Sequence, residues 1–427
     1  MQYKKKVLKN GMRVMVVPLK DTHTATVLAL VEAGSKYETK DKNGISHFLE
    51  HMCFKGTTKR PSSLVINSEL DGLGAQSNAF TSDEVTGYYT KAESSKLPEM
   101  IDIISDMYLD PIFPEADMQK EKGVIIQEIS MKEDNPQKLI HSVFKDLMYG
   151  DQPAGWTILG PRKNIQKMKR EDFVEYRKKH YVAKATTVVV AGKVDPEKTF
   201  KMIEKAFKNI STDKKHTKLA LSEAQKAPKV LIKKKDTDQT HLILGFRTFD
   251  MYDKRNETLS VLNGVLSAGM SSRLFHKLRD EMGACYYVYS YPEETTDGGF
   301  IAIGTGIEDK RLIEVVNVLL KECKRLTEEL VSVEELRKIK DYMIGNLFLG
   351  LETSDSLAEF YGFQEVFKRK LKTPEEVKAE IEKVKAEDIR KLAREIFKDE
   401  KLNLALIGRA KDAKLLKKTL KLSSVKN

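Results

Sequence analysis

Residues 171–196 read EDFVEYRKKHYVAKATTVVVAGKVDP, and residues 387–412 repeat their plan as EDIRKLAREIFKDEKLNLALIGRAKD. Each stretch runs from an amphipathic helix pattern into a short apolar strand pattern that closes on a glycine, Gly192 or Gly408. Such self-similarity indicates an internal duplication, which says more about architecture than any local propensity does. The chain is therefore predicted to contain two halves of one design.

The two halves also open alike, and this gives the fold class. Val14–Val17 and Thr24–Glu32 alternate or run apolar as paired strands, and Val230–Ile232 and His241–Phe246 do the same in the second half. We expect each half to be a mainly antiparallel sheet with helices packed on one face, which is an α+β arrangement.

A polar and charged stretch separates the halves. Residues 211–229, STDKKHTKLALSEAQKAPK, contain the linker, because this composition favours a connecting segment over a packed element. The predicted boundaries are a first domain over 1–211, a linker over 212–228 and a second domain over 229–427. Two domains suit this chain because 427 residues exceed what one hydrophobic core normally serves.

The first half carries the pentad His47-Phe48-Leu49-Glu50-His51. Read as a helix over residues 45–54, this segment forms one apolar stripe at helical spacing. The stripe consists of Ile45, Phe48, Leu49, Met52 and Cys53. His47, Glu50 and His51 point the other way, where two imidazoles one turn apart can reach a single ion and a carboxylate can act as a base toward water.

The pentad has the form HxxEH, the reverse of the HExxH motif of zinc peptidases. A catalytic zinc site usually has three protein ligands, and inverted-motif enzymes take the third from a distant helix. The segment from Pro114 to Pro136 predicts that helix, with Glu121 and Glu128 two turns apart along one side. The alternative is that these polar residues form an ordinary solvated helix face. With eight histidines in the chain, the pentad arises by chance with a probability on the order of 1%, so the motif alone does not establish a metal site.

The sequence around these residues resembles the pitrilysin/insulinase family of inverted-motif zinc peptidases, in the branch of the mitochondrial processing peptidase β subunit and its bacterial or archaeal homologues. NGISHFLEHMCFKGTTKR is similar to that branch almost residue for residue. The 76 residues from Met52 to Gln127, between His51 and Glu128, match the family's spacing to its ligand glutamate. The stretches LGAQSNAFTSDEVTGYY, EDNPQK, TILGP and SSRLFHKLRDEMGACYY resemble further family landmarks, so the resemblance covers nearly the whole chain.

The resemblance implies a metal centre in the first half. One zinc ion per chain is expected on His47, His51 and Glu128, with Glu50 as the catalytic base. Glu121 is expected behind the ligands, where a hydrogen bond to a ligating histidine fixes its tautomer.

The resemblance also implies substrate contacts in both halves. Asn78 and Ala79 are expected in an exposed edge strand, to which an extended peptide can add through main-chain hydrogen bonds. In the second half, Tyr286 is expected to donate a hydrogen bond to the oxyanion and Arg279 to grip a substrate carbonyl.

The expected function is that of a zinc-dependent endopeptidase that hydrolyses unstructured peptides inside a closed chamber. Only the first half carries the pentad, and a chain of this length needs a partner to complete such a chamber. We expect a homodimer in which Arg279 and Tyr286 of one chain face the zinc of the other. One alternative is a site-specific processing peptidase for targeting sequences. Another is a non-catalytic peptide-binding chamber subunit, and the intact motif argues against this second alternative.

Composition and charge indicate whether the chain binds nucleic acids or membranes. The 74 basic and 63 acidic residues give a formal charge of +11, but the lysines are scattered and no aromatic residues interleave with them, so we expect no nucleic-acid partner. No apolar run reaches the roughly 18 residues of a membrane span, and the N-terminus lacks the apolar region of a secretory signal. We therefore expect no membrane partner and a cytoplasmic location. The cysteines, Cys53, Cys285 and Cys323, are odd in number and widely spaced, which fits reduced thiols rather than a disulfide framework.

Overall fold

The computed structural model describes residues 2–409, 415–416 and 420–424, so residues 410–412 of the second repeat and the end of the predicted second domain lie outside the described residues. The strands are β1 (Lys4–Val7), β2 (Arg13–Pro18), β3 (Thr24–Val31), β4 (Gln76–Thr81), β5 (Thr86–Glu93), β6 (Thr186–Gly192), β7 (Lys229–Lys234), β8 (Thr240–Arg247), β9 (Cys285–Thr295), β10 (Gly298–Ile307) and β11 (Leu402–Gly408).

Fifteen α-helical segments accompany these strands in the described part of the chain. They are α1 (Ile45–Cys53), α2 (Ser63–Gly72), α3 (Leu97–Leu109), α4 (Glu115–Asp134), α5 (Pro136–Tyr149), α6 (Arg162–Lys167), α7 (Arg170–His180), α8 (Pro196–Ala206), α9 (Asn256–Ser267), α10 (Arg273–Phe275), α11 (Leu312–Glu328), α12 (Val333–Leu349), α13 (Ser354–Val366), α14 (Pro374–Lys383) and α15 (Ala386–Ile396). A π-helical turn, His276–Glu281, continues α10. None of the described helices combines the length and the apolarity that a membrane span requires.

The chain forms two compact units that interleave along the sequence. The first unit contains Met1–Ser130, Trp156–Leu219 and Leu349–Thr373, and the second contains Met131–Gly155, Ala220–Phe348 and Pro374–Asn427. These units depart from the predicted continuous domains in two segments, because α5 belongs to the second unit and α13 to the first. The boundary between Leu219 and Ala220 falls inside the predicted linker.

The first unit is built on a six-stranded sheet in the order β1-β2-β6-β3-β5-β4. β2 and β6 are parallel and every other neighbouring pair is antiparallel. One face shares an apolar core with α1, α3, α4, α7 and α8, as expected. The opposite face carries α13, which approaches closely because a Cβ on Gly362 would lie 2.9 Å from Leu30 Cδ1 and 3.2 Å from Val189 Cγ2.

The second unit repeats this plan on a five-stranded sheet, β7-β11-β8-β10-β9, in which β7 and β11 form the parallel pair. One face packs with α9, α11, α14 and α15. The opposite face packs with α5, where the Phe144 and Phe300 ring centroids lie 5.2 Å apart and Gly245 leaves room for Phe144. The predicted α+β class is confirmed, and each sheet additionally carries one helix on its second face.

The packing of α5 predicts which strands of the second unit lose stability when a cavity is made beneath this helix. Phe144→Ala should lower the free energy of unfolding by about 3–5 kcal/mol, because a fully buried aromatic ring is removed. Urea unfolding measures the loss, and hydrogen exchange should locate it in β8, β10 and β11. Leu64→Ala, at an exposed position, should stay within about 0.5 kcal/mol. Loss of protection confined to β3 and β6 would contradict the assignment of α5.

Candidate metal centre

Helix α1 forms as its sequence pattern predicts. It spans Ile45–Cys53, and the five residues of the apolar stripe are at most 1% exposed. Burial of each of the side chains of Ile45, Phe48, Leu49 and Met52 contributes roughly 1.5–3 kcal/mol to the stability of the fold. The stripe therefore fixes the rotation of the helix against the core. As a result His47, Glu50 and His51 lie together on the other side, partly accessible to solvent.

A buried carboxylate fixes the start of this helix. Gly44, with φ of 102°, precedes α1, and one oxygen of Glu38 accepts hydrogen bonds from its N–H at 2.8 Å and from Asn43 Nδ2 at 2.7 Å. The other oxygen accepts from the Ser46 N–H at 2.8 Å. These bonds satisfy N–H groups that a helix cannot pair internally. Burial raises the pKa of Glu38 to about 7, and the hydrogen bonds oppose that shift.

Helix α4 brings Glu128 to the two histidines. His47 Nε2 lies 3.7 Å from Glu128 Oε2, and His51 Nε2 lies 3.8 Å from Glu128 Oε1. Their ligand atoms all fall within 4.8 Å of one another, and this is the one trio of potential metal-ligating side chains with such spacing among the residues the structure describes.

The trio fits a zinc ion. Two tetrahedral ligands at 2.0–2.1 Å from zinc lie about 3.3 Å apart, close to the separations between Glu128 and the two histidines. Glu128 Oε2 is buried and has no hydrogen-bond partner within the described part of the chain. Coordination would satisfy this oxygen, which is otherwise costly to bury.

Glu121 lies behind the histidines, two turns before Glu128 on α4. Its Oε2 is 3.0 Å from His51 Nδ1, and its Oε1 is 2.7 Å from Lys55 Nζ. A proton on His51 Nδ1 can therefore be donated to Glu121, which leaves His51 Nε2 available toward Glu128.

Glu50 is linked to the edge of the first sheet. The hydroxyl of Thr81, the last residue of β4, donates a hydrogen bond of 2.6 Å to Glu50 Oε2. Burial raises the pKa of Glu50, and the bond from Thr81 opposes that change. The carboxylate is thus oriented by the same strand that carries Asn78 and Ala79.

Asn78 and Ala79 lie in β4, at the edge of the described sheet, and pair with Tyr89 and Tyr88 of β5. Asn78 is exposed and Ala79 is half-buried. The Asn78 side-chain oxygen accepts a hydrogen bond from the Ala79 N–H at 2.9 Å. The strand therefore has the edge position expected for peptide addition.

Arg279 and Tyr286 form a pair of their own, in the second unit. The Arg279 guanidinium donates a hydrogen bond to the Tyr286 carbonyl and lies 4.7 Å from the Tyr286 ring centroid. The Tyr286 side chain points outward, and the residue is 76% exposed. Arg279 lies in the π-helical turn, an irregularity that often accompanies functional sites.

Three residues at this centre received no role from the sequence. Thr81 and Lys55 stand inside stretches that resemble the family, but the contacts that give them roles reach 31 and 66 residues along the chain. Glu38 stands outside those stretches, and its one sequence signal is an acidic residue a few positions before a helix start.

Two family profiles match the chain in order. The insulinase profile, peptidase family M16, matches residues 13–162, and the profile of the peptidase M16 inactive domain matches residues 167–343. A Bacillus subtilis protein named as an uncharacterized zinc protease is 33% identical over 405 residues, covering 95% of this chain and 98% of the relative. A Rickettsia felis protein with the same description is 34% identical over 391 residues, covering 91% and 94%.

Solved structures share the fold. A protease from Helicobacter pylori has a TM-score of 0.88 at 24% identity, covering 95% of this chain and 99% of its own. A peptidase M16 inactive domain from Pseudomonas fluorescens also has a TM-score of 0.88, at 16% identity, covering 96% and 98%. At these identities the likeness concerns the fold alone.

The raised pKa of Glu38 predicts a pH-dependent stability. Between its ordinary value of 4.5 and about 7, the folded chain binds this proton more tightly than the unfolded chain. Its contribution is therefore full below pH 4.5 and is lost as pH rises through 7, by roughly 3 kcal/mol. The stability difference between wild type and Glu38→Gln should shrink by most of that amount from pH 5 to 8, measured by urea unfolding.

Two comparisons make this test specific. His180, whose pKa burial lowers to about 4, contributes the opposite slope in both proteins and cancels in their difference. Glu115→Gln, which makes the same chemical change at an exposed position, serves as the control for the substitution itself. A Glu38→Gln difference that is constant or grows with pH would contradict the assignment.

Proposed function

Because this chain belongs to the insulinase family of peptidases, M16, we propose that it is a zinc-dependent endopeptidase that hydrolyses unstructured peptides. The observation that carries the proposal is the convergence of His47, His51 and Glu128 within 4.8 Å, with Glu50 one helical turn from His47 and adjacent to His51. The description of its relatives as zinc proteases supports the same activity.

The proposed mechanism assigns each residue one task. His47, His51 and Glu128 hold zinc, one ion per chain, and bound zinc supplies Lewis-acid chemistry that acidifies water and polarises a carbonyl group. Glu50 accepts the proton of the attacking water and then passes it to the leaving amine. The hydrogen bond from Thr81 keeps the Glu50 carboxylate turned toward β4 while it does so.

The substrate is proposed to bind along β4. An extended peptide adds to a sheet edge through main-chain hydrogen bonds, which are largely independent of side-chain identity. The hydrogen bond from Thr81 to Glu50 supports this proposal, because it joins the last residue of β4 to the proposed base. A substrate must free its backbone to pair in this way, so unstructured peptides are preferred over stable folded proteins.

The remaining substrate contacts are proposed to come from a second copy of the chain. Tyr286 is exposed, its ring is supported by Arg279, and both residues belong to a different unit from the metal trio. In a homodimer, Tyr286 of one chain donates a hydrogen bond to the oxyanion at the metal centre of the other, while Arg279 grips a substrate carbonyl. The two chains together enclose a chamber.

Removal of the base tests the activity. Glu50→Gln should lower kcat on a mixed set of quenched-fluorescent peptides by about 10²–10⁴-fold, because general-base assistance is lost. Metal analysis should still find one zinc per chain in the variant, since Glu50 is not a ligand. A folded protein should resist the wild type over the same period.

Other results of this experiment identify the alternatives. Cleavage of a single peptide at one site would replace a general peptidase with a processing enzyme. Binding of peptides without cleavage by zinc-loaded wild type would replace the enzyme with a binding chamber. Equal rates for wild type and Glu50→Gln would contradict the mechanism.

Mixing two inactive variants tests the shared site. Glu50→Gln and Tyr286→Phe chains, each inactive alone, should together recover about a quarter of the wild-type rate after subunit exchange. About half of the dimers are then mixed, and each mixed dimer has one of its two sites intact. Activity assays with light scattering on the same samples measure this. A fully active monomer, or mixed dimers without recovery, would overturn the homodimer proposal.

A further inference from the structure

We propose that Lys55 is a positioning residue of the metal centre: it holds Glu121, and Glu121 in turn holds His51 for zinc. The inference rests on the zinc site of the proposed function. It extends that site by one residue and assigns a role to a lysine that reaches neither the metal ligands' coordinating atoms nor the edge strand.

Lys55 and His51, both near the C-terminal end of α1, contact the carboxylate of Glu121. The Lys55 ammonium is 2.7 Å from Glu121 Oε1, and His51 Nδ1 is 3.0 Å from Glu121 Oε2. Both oxygens of Glu121 are thus engaged, by side chains four residues apart. The Lys55 N–H donates to the Met52 carbonyl at 3.2 Å, so the backbone that carries the ammonium is itself fixed to α1.

The second contact matters because one hydrogen bond leaves a carboxylate free to turn. The terminal torsion of a glutamate is broad and roughly two-fold, unlike the staggered torsions nearer the backbone. A contact at Oε1 fixes the carboxylate plane and therefore the direction in which Oε2 accepts the His51 proton. The orientation of His51 Nε2 toward Glu128 consequently depends on Lys55.

Charge gives Lys55 a second task. Glu50, Glu121 and Glu128 place three carboxylates around one trio, and like charges at such distances repel. Within the described residues, Lys55 is the one lysine or arginine that forms an ion pair with any of them. The Glu121 side chain is only 10% exposed, so water screens this pair less than it screens a surface ion pair.

The ion pair also separates the roles of the two glutamates on α4. Glu121 has both oxygens occupied, whereas Glu128 Oε2 is buried without a hydrogen-bond partner in the described structure. Lys55 therefore keeps Glu121 out of the ligand set and leaves Glu128 as the carboxylate ligand.

Zinc affinity of the whole 427-residue chain, measured by competition with a chromophoric chelator, tests the proposal without requiring catalysis. Lys55→Met should weaken zinc binding by about 10–100-fold, the effect expected when an outer-shell partner is lost. Lys55→Arg should recover most of the affinity, because a guanidinium also pairs with a carboxylate. Lys55 is 25% exposed, so these variants should fold, and thermal unfolding of each apoprotein checks this.

Lys59→Met is the matched control. Lys59 stands four residues further along and pairs with Asp102 at the surface, so its removal should leave zinc affinity unchanged. Lys55→Met with wild-type affinity, or an equal loss in Lys59→Met, would overturn the inference. Failure of Lys55→Arg to recover affinity would also overturn the inference, because the proposed role requires a positive charge that pairs with Glu121.

A double-mutant cycle decides whether Lys55 acts through Glu121. In a Glu121→Gln background, Lys55→Met should have little further effect on zinc affinity, because the intermediary is already impaired. Full additivity of the two substitutions would contradict the proposed route. Absence of zinc binding by wild type would instead remove the proposed function itself, so the two failures are distinguishable.

Discussion

The apolar stripe of α1 is the constraint on which the metal centre depends. Five side chains bury against the first core, and this fixes both the rotation and the depth of a helix of only nine residues. The polar side of the helix, with His47, Glu50 and His51, must then face away from that core. Burial also removes water from the start of the helix, so its N–H groups need a partner inside the protein. Glu38 supplies that partner and is itself desolvated.

The same trade between burial and polarity recurs across the centre. Three carboxylates and two imidazoles are brought close together, and each carboxylate is stabilised differently. Glu50 accepts a hydrogen bond from Thr81, Glu121 is shared between His51 and Lys55, and Glu128 has one buried oxygen without a hydrogen-bond partner in the described structure. Partial burial strengthens these contacts and makes the loss of any one of them costly, because the group left behind is already partly desolvated.

Each sheet is packed against helices on both faces, and this explains why its central strands are mainly apolar along their whole length. A strand with one solvated face alternates, whereas the central strands β6 and β11 are buried throughout. The second face of each sheet is covered by a helix that the sequence places in the other half, α13 for the first unit and α5 for the second. The duplicated halves therefore exchange one helix each, although the repeat pattern indicates two continuous domains.

Features that depend on short-range periodicity were predictable from the sequence. The 3.6-residue spacing of α1 and α4 and the duplicated helix-strand plan were readable because neighbouring residues create those patterns. Resemblance added Glu121, Glu128, Arg279 and Tyr286 as candidates. Tertiary structure alone decided that Lys55 meets Glu121, that Thr81 meets Glu50 and which sheet α5 covers. Those contacts join residues tens of positions apart or more, and which distant side chains meet depends on the packing of the whole core, which local patterns do not specify.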